Sequence, residues 1–326
     1  MPRSLFEGLP TPSHATSAAS LTSCNKLTSY KQIPTMSELP ETGCVACGWT
    51  LDKENRCHYT SHVKLFYGAS TRGVWSIGSD VILKDRPDEG PKARVEVQTL
   101  NYLATHTDIP IPKALRDWVD RDGRYFVMTE RIGGQTLEEA WPSLSEPQRI
   151  NVADQVVQVR KQLRSVTSTS IQSVDNSPCY PGLLFFDPKP RGPFHSDKEL
   201  WDALALKLGH LPPQVLENLK QRLPKCKPYV LSHCDLNLGN IMVQDGKVVG
   251  ILDWEYAAFL PIWYEYVSAS LGFTEMDVEW KKLLRARLDA QGEGHEDAKA
   301  FWTDLRNLRL YPNLDEKGRE ALKRLS

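Results

Sequence analysis

Three polar residues late in the chain have side chains and spacings that suit one kind of chemistry: Asp235, Asn240 and Asp253. The amide oxygen of Asn240 and the carboxylate of Asp253 would make a hard, oxygen-rich ligand set, which is what Mg²⁺ prefers. Asp235, on the loop just before, would reach a substrate hydroxyl beside that metal. The three residue types therefore indicate metal-assisted phosphoryl transfer to a hydroxyl group.

A β-hairpin is predicted between the two candidate metal ligands. Residues 241–243 and 248–252 form short apolar runs, and the Asp245-Gly246 dipeptide between them is favoured in tight primed turns. Antiparallel pairing brings the two ends of a hairpin together. Asn240 and Asp253 are therefore expected at one point in space. A surface hairpin with ordinary polar loop ends is the alternative interpretation.

In this stretch the sequence resembles the protein-kinase-like superfamily. His233-Cys234-Asp235-Leu236 followed by Asn240 is similar to the H-x-D-L-x-x-x-N catalytic loop, and Asp253-Trp254-Glu255 stands where protein kinases have D-F-G. The D-W-E form is more similar to the aminoglycoside phosphotransferase and choline kinase branch, which phosphorylates small molecules. The resemblance extends over about residues 62 to 326, and its details are most similar to fungal members of the phosphotransferase enzyme family.

The resemblance implies a role for each residue of the group. Asp235 would be the catalytic base, Asn240 and Asp253 would hold Mg²⁺, and ATP would supply the phosphoryl group. His233 is expected to serve the backbone of the loop. The implied fold class is α+β, a protein-kinase-like two-lobed fold with a β-rich N-lobe and a mostly helical C-lobe, and the nucleotide would bind between the lobes.

A second hairpin supplies a candidate phosphate-binding lysine. Residues 74–77 and 81–84 flank a Gly78-Ser79 turn, and Lys84 ends the return strand. The resemblance implies that Lys84 contacts the α- and β-phosphates of ATP. Taken alone, the lysine is more typical of a solvated strand end, because most lysines are exposed. The candidate partner on the next helix favours the phosphate contact.

The helix predicted after this hairpin supplies a candidate partner for Lys84. Residues 92–106 have helical periodicity, and Glu96 lies beside the apolar stripe. The resemblance implies that Glu96 forms an ion pair with Lys84. A solvated surface glutamate is the alternative. The predicted stripe consists of Ala93, Val97, Leu100 and Ala104.

Two further nucleotide contacts are expected from the resemblance. The loop of residues 68–73 lacks a G-x-G-x-x-G pattern, but its backbone amides and the hydroxyl of Ser70 or Thr71 could contact phosphate. A plain hairpin loop remains the alternative. After a strand at residues 125–128, the Thr129 carbonyl and the Arg131 amide are expected to bind the adenine edge.

Composition excludes several other classes of protein. The 326 residues are 40% hydrophobic and 25% charged, which is ordinary for a globular chain. A net charge of -1 argues against a nucleic-acid partner. No run of about 18 apolar residues exists, so no membrane span is predicted. Seven cysteines in a chain of this length indicate reduced thiols and a cytoplasmic protein. The oligomeric state is left open.

The chain is predicted to divide into four segments. Residues 1–40, rich in Ser, Thr and Pro, are expected to be disordered, and 41–61 form a cysteine-containing lead-in. Residues 62–132 are the predicted N-lobe and 133–326 the helical C-lobe, where Ser145 and Ser196 are candidate helix caps. A zinc site is an alternative to reduced thiols for the lead-in, with the ligands Cys44, Cys47, Cys57 and His62.

The phosphoryl acceptor is predicted to be a small-molecule hydroxyl rather than a protein. Helical sequence is expected from Ile262, soon after Asp253, no A-P-E tripeptide follows nearby, and Cys234 precedes the base where regulated protein kinases have arginine. The alternatives are a nucleotide-binding pseudokinase acting as an interaction module and an atypical protein kinase. Acidic residues near the site favour a cationic acceptor. Candidate acceptor contacts are Trp254, Glu255, Trp263 and Glu265, with core packing or a solvated face as the alternative for each.

Overall fold

The structure, a computed structural model, describes residues 63–69 and 71–326 of the chain. Four predictions concern residues outside these ranges: the phosphate contact of Ser70, the character of segments 1–40 and 41–61, and the choice between thiols and zinc at Cys44, Cys47, Cys57 and His62. The described residues divide into two units. The sheet unit contains residues 63–69, 71–88 and Leu115–Arg131, and the helical unit contains Glu89–Ala114 and Ile132–Ser326.

The sheet unit is built on five strands in the order β1-β2-β3-β5-β4. Strand β5 shows why these residues form a sheet, because Tyr125, Val127 and Thr129 alternate along it and are all buried. The hairpin predicted around Gly78-Ser79 is confirmed as β2 and β3. The strands are β1 (Val63–Ala69), β2 (Arg72–Ile77), β3 (Val81–Pro87), β4 (Ala114–Val119) and β5 (Arg124–Glu130).

The helical unit combines helices with two three-stranded sheets, ordered β10-β9-β6 and β11-β8-β7. Its strands are β6 (Gln135–Thr136), β7 (Thr167–Ser168), β8 (Tyr229–Ser232), β9 (Ile241–Gln244), β10 (Lys247–Ile251) and β11 (Ala258–Pro261). Its helices are α1 (Pro91–His106), α2 (Leu137–Ala140), α3 (Glu146–Ser165), α4 (Gly182–Phe185), α5 (Asp197–Leu208), α6 (Pro213–Gln221), α7 (Tyr264–Ser268), α8 (Glu275–Ala290), α9 (Glu296–Leu308) and α10 (Glu316–Leu325).

Helix caps predicted from the sequence are confirmed at α3 and α5. Ser145 and Gln148 form a capping box, in which the Ser145 amide donates to the Gln148 side chain at 2.8 Å. The hydroxyl of Ser196 accepts from the Glu199 amide at 3.2 Å. These bonds satisfy backbone donors that the first turn of a helix leaves without partners.

An apolar core in the helical unit surrounds residues 231–254. Side chains of α1, α3 and α8 pack in this core, and among them are Leu100, Leu103, Val156, Trp280 and Leu284. The segment after α1 is bonded to the same region, because the Ile251 amide of β10 donates to the Pro110 carbonyl at 2.8 Å.

These contacts explain two differences from the sequence predictions. Helix α1 lies within the predicted N-lobe, residues 62–132, whereas its packing groups Glu89–Ala114 with the helical unit. The division into lobes stays a prediction. The predicted stripe on α1 was wrong at one position: Ala104 is exposed, and Leu103 is completely buried in its place.

Within the described ranges, no helix is both long enough and apolar enough to cross a membrane.

Candidate active site

The predicted hairpin is present as β9 and β10. Ile241 pairs with Ile251 in antiparallel register. Asp245 and Gly246 have φ angles of 51° and 73°, the left-handed pair that a primed turn requires. At the open end of the hairpin the Leu252 amide donates to the Asn240 carbonyl at 2.8 Å. Asn240 and the residue before Asp253 therefore meet, as the turn chemistry predicts.

Asn240 is bonded directly to Asp235. Its side-chain nitrogen donates to the Asp235 carbonyl at 2.9 Å and to the Asp235 carboxylate Oδ2 at 3.2 Å. Both side chains are buried. Because the amide nitrogen faces Asp235, the amide oxygen is the atom of Asn240 that can bind a metal.

A 3₁₀ turn, Leu238–Asn240, sets the position of Asn240. The Asn237 side-chain oxygen caps this turn and accepts from the amides of Gly239 at 3.0 Å and Asn240 at 3.1 Å. The sequence analysis did not identify Asn237. A detectable signal was present, because an Asn two or three residues before a Gly-Asn step commonly caps a turn.

Glu265 of α7 holds the other side of the loop. Its Oε2 accepts from the His233 amide at 2.7 Å and the Cys234 amide at 3.1 Å, and the side chain is 5% exposed. Cys234 has a left-handed φ of 75°, a conformation that surrounding bonds must maintain in a non-glycine residue. Glu265 was a candidate acceptor contact, and the structure shows one of its carboxylate oxygens bonded to this loop. A contact between Glu265 and the acceptor stays a prediction.

His233 links the loop to the hairpin. Its Nε2 donates to the Leu252 carbonyl at 2.8 Å, and its Nδ1 accepts from the Asp235 amide at 3.1 Å. Burial lowers the pKa of His233, which favours this neutral form. The prediction that His233 serves the loop backbone is confirmed.

Two predicted acceptor contacts are core residues. Trp254 is completely buried, lies with its ring 4.4 Å from that of His233 and donates to the Ile251 carbonyl at 2.9 Å. Trp263 is 1% exposed and packs in a second apolar core with Phe301. Both tryptophans therefore match the core-packing interpretation, because each is enclosed by apolar side chains. Glu255, the fourth candidate, is also buried.

Burial and the neighbouring charges shift the pKa of Asp235. Burial raises the pKa of Asp235 to about 7, with the positive charge of Lys281 opposing this rise and the negative charge of Asp253 adding to it. Asp253 itself has a left-handed φ of 63°. A carboxyl group with a pKa near 7 is in the range that suits a general base at neutral pH.

Helix α8 also contacts the catalytic loop. The Trp280 side chain donates to the Leu236 carbonyl at 3.0 Å, one residue after Asp235. Asp277, one turn earlier, is buried and accepts from the Phe273 amide at 3.1 Å. The sequence analysis did not identify α8 as part of the site.

The donor set fits Mg²⁺ with few protein ligands. Within residues 63–69 and 71–326, no group of three or more His, Cys, Asp or Glu side chains could hold a metal by itself. Mg²⁺ is usually held by one or two carboxylates, together with waters and substrate phosphates. The Asp253 carboxylate and the Asn240 amide oxygen match that pattern, and the assignment stays a prediction.

The predicted nucleotide contacts lie on identifiable elements. Lys84 of β3 is half-buried and lies opposite Val74 and Val127. Glu96 of α1, in the helical unit, is 3% exposed, so the solvated-glutamate interpretation was wrong. The pairing of Lys84 with Glu96 stays a prediction.

The predicted adenine contacts lie at the end of β5. Thr129 is opposite Ile82 of β3. The Arg131 amide donates to the Asp80 carbonyl at 2.8 Å. An adenine contact at this amide would therefore have to replace or share that bond. Both assignments stay predictions.

Comparison with known proteins gives consistent results. The family described as the phosphotransferase enzyme family matches residues 65–302. An aminoglycoside 3'-phosphotransferase from Escherichia coli is 26% identical over 181 residues, which is 54% of this chain. The match spans 62% of that relative's length, less than two thirds.

Solved structures share the fold. A thermostable mutant of aminoglycoside phosphotransferase APH(4)-Ia, in ternary complex with AMP-PNP and hygromycin B, superposes with a TM-score of 0.51 at 14% identity, covering 83% of this chain and 94% of that one. ADP-bound aminoglycoside phosphotransferase APH(2'')-Ib gives 0.50 at 13% identity, with the same coverage of 83% and 94%. The predicted α+β, protein-kinase-like fold class is thereby confirmed. Because the family match extends over well more than half of the chain, this protein belongs to the phosphotransferase enzyme family.

Proposed function

We propose that this protein is an ATP- and Mg²⁺-dependent phosphotransferase that transfers the γ-phosphoryl group to a hydroxyl of a small molecule. The observation that carries the proposal is the buried bond between Asn240 and Asp235 at the open end of the β9–β10 hairpin, beside Asp253. Membership of the phosphotransferase enzyme family supports the reaction class. Relatives of the same fold, bound to AMP-PNP or ADP, support the choice of nucleotide.

In the proposed reaction Asp235 orients the acceptor hydroxyl and accepts its proton. The bonds from Asn240 and His233 keep the Asp235 carboxyl and its backbone in one arrangement. Asn240 and Asp253 would hold Mg²⁺, which when bound neutralises charge on the nucleotide phosphates. The pre-set geometry limits the reorganisation needed when the acceptor arrives.

The remaining assignments follow from the family pattern. Lys84 would contact the α- and β-phosphates and Glu96 would hold Lys84. Thr129 and Arg131 would contact adenine through their backbone, and Ser70 would contact phosphate. Loss of ATP affinity in Lys84→Met, without a loss of thermal stability, is the expected sign of the lysine's role.

A small-molecule acceptor is supported by the short connection after Asp253. The chain forms β11 (Ala258–Pro261) and then enters α7 at Tyr264, two residues later than the helix predicted from Ile262. Little chain remains between Asp253 and α7 for the long segment on which protein kinases dock peptides.

The test follows ATP consumption with a metabolite library and, separately, with peptide arrays. The proposal expects Mg²⁺-dependent phosphorylation of at least one hydroxylated metabolite and none of the peptides. Phosphorylation of peptides alone would replace the proposal with an atypical protein kinase. ATP binding without transfer to any acceptor would support the pseudokinase interpretation.

A further inference from the structure

A surface cavity lies where α9 ends and α10 begins, and none of its lining residues belongs to the candidate active site. Its volume is about 210 Å³. The two helices meet closely there, because a Cβ on Gly318 of α10 would lie 2.9 Å from the Asn307 carbonyl oxygen of α9. The lining residues are Arg306, Asn307, Arg309, Leu310, Asp315 and Lys317.

The lining of this cavity is basic. Arg306, Arg309 and Lys317 supply three positive charges, and Asp315 supplies one negative charge, which leaves a net charge of +2. The Asp315 carboxylate is also in use as a helix cap, because its Oδ1 accepts from the Gly318 amide at 2.8 Å. A concave surface lined mainly by one sign of charge concentrates ions of the opposite sign, so the cavity favours an anion.

Aromatic rings hold both arginines in place. The guanidinium carbon of Arg306 lies 5.4 Å from the centroid of the Trp302 ring, and that of Arg309 lies 4.9 Å from the centroid of the Phe186 ring. Stacking uses the face of a guanidinium group and leaves the N–H groups at its edge able to donate. Burial lowers the pKa of Arg309, and the nearby charge of Arg306 lowers it further.

The carboxylates next to these side chains are paired with other cations. Asp304, on the last turns of α9, is 1% exposed and pairs with Arg222 and Arg324. Asp187, which follows the aromatic residue under the second arginine, pairs with Arg191. Among the residues that the structure describes, the three cations of the cavity form no ion pair. Their charges therefore remain available to a ligand.

Phosphate is the anion that best matches this lining. A phosphate monoester carries a charge of about −1.5 to −2 at neutral pH, close to the opposite of the charge in the cavity. Guanidinium groups bind phosphate oxygens through pairs of parallel N–H donors, which gives arginine its frequent place at phosphate sites. The cavity is smaller than the roughly 300–1,000 Å³ of sites for drug-sized ligands, so its size favours a small compound over a nucleotide.

We propose that this cavity is a second ligand site, where Arg306, Arg309 and Lys317 bind the phosphate group of a small compound. That group is either inorganic phosphate or the phosphate of a small ester. The side chain of Leu310, which is 60% exposed, offers the carbon skeleton of an ester an apolar surface to cover. The site is additional to the proposed phosphotransferase reaction and does not depend on it.

Calorimetric titration of the full chain tests this site, with inorganic phosphate and, separately, with glycerol phosphate. No ATP or acceptor is added, so the result does not depend on the proposed reaction. Ionic strength is held constant, because salt screens exposed charges. Saturable binding of one equivalent is expected. Equal affinities would identify the phosphate group alone as the ligand, and tighter binding of glycerol phosphate would identify an ester.

Substitutions in the lining locate the binding. Arg309→Gln should weaken phosphate binding about tenfold or more, because a charge-assisted hydrogen bond is lost. Lys317→Gln should weaken it about two- to fivefold, because the lysine is exposed and its charge is screened. Lys323→Gln is the matched control and should leave the affinity unchanged, since Lys323 is also an exposed lysine of α10 but does not line the cavity.

Three results would overturn this assignment. The first is the absence of saturable binding of either compound. The second is an equal affinity in Lys317→Gln and Lys323→Gln, which would reduce the effect to overall charge. The third is loss of binding in Lys84→Met, which would place the phosphate at the candidate nucleotide site. The comparison of the two exposed lysines stays decisive even if Arg309→Gln unfolds the protein.

Discussion

The side-chain nitrogen of Asn240 donates to both the backbone carbonyl and the carboxylate of Asp235, at 2.9 Å and 3.2 Å. One amide therefore connects the candidate base to the candidate metal ligand. Any change at Asn240 should alter both Mg²⁺-dependent ATP binding and turnover. A change at Asp253 should mainly weaken Mg²⁺-dependent ATP binding.

We expect Asp253→Ala to weaken Mg²⁺-dependent ATP binding by about tenfold or more, because the substitution removes a direct metal ligand. Loss of a residue that only supports a metal ligand already lowers metal affinity by about tenfold. Calorimetric titration of ATP with and without Mg²⁺ measures the effect. Asp245→Asn, on the exposed turn of the same hairpin, is the control, since Asn-Gly suits that turn as well as Asp-Gly. Equal MgATP affinity in Asp253→Ala and the wild type would remove Asp253 from the metal site.

Glu265→Ala should destabilise the protein. The change leaves the His233 and Cys234 amides buried without an acceptor, and each unsatisfied donor costs about 1–3 kcal/mol in unfolding free energy. Glu265→Gln retains an acceptor oxygen and should lose less. Denaturant unfolding measures both, with exposed Glu320→Ala of α10 as the control. A Glu265→Ala variant as stable as Glu320→Ala would contradict the anchoring role.

Gly134→Ala should lower stability by about 1–3 kcal/mol, the usual cost of a strained left-handed residue. Gly134 has a φ of 91°, and a Cβ there would lie 2.5 Å from the Val243 carbonyl of β9. Gly209→Ala, after α5, is the matched control, because its Cβ would come no closer than 3.6 Å to another atom. Chemical denaturation compares the two variants, and equal stabilities would show that β9 shifts to accommodate the methyl group.

The hairpin could be predicted because its information is local. Asp245-Gly246 specifies the turn, and the turn fixes the register that brings Asn240 toward Asp253. The Ser145 and Ser196 caps were predictable for the same reason, since a cap and its helix are adjacent in sequence.

Glu265 and Trp280 could not be assigned in this way. Each meets the catalytic loop from a helix that lies thirty or more residues downstream, and only tertiary packing brings them there. The sequence pattern around Glu265 is compatible with a surface helix. Only the fold buries this side chain and brings its carboxylate to the catalytic loop. Strand β11 was missed because Ala258–Pro261 is short and ends in proline.

The central claim is that Asp235 accepts the proton of the acceptor hydroxyl, and the Asp235→Asn variant tests it most directly. The substitution keeps the shape of the side chain and removes the proton acceptor. The measurement is steady-state phosphoryl transfer together with MgATP affinity, in Asp235→Asn and in the Asp245→Asn control. We predict that Asp235→Asn loses about 100-fold or more in turnover with nearly unchanged MgATP affinity, while the control keeps both. Full turnover in Asp235→Asn would contradict the account.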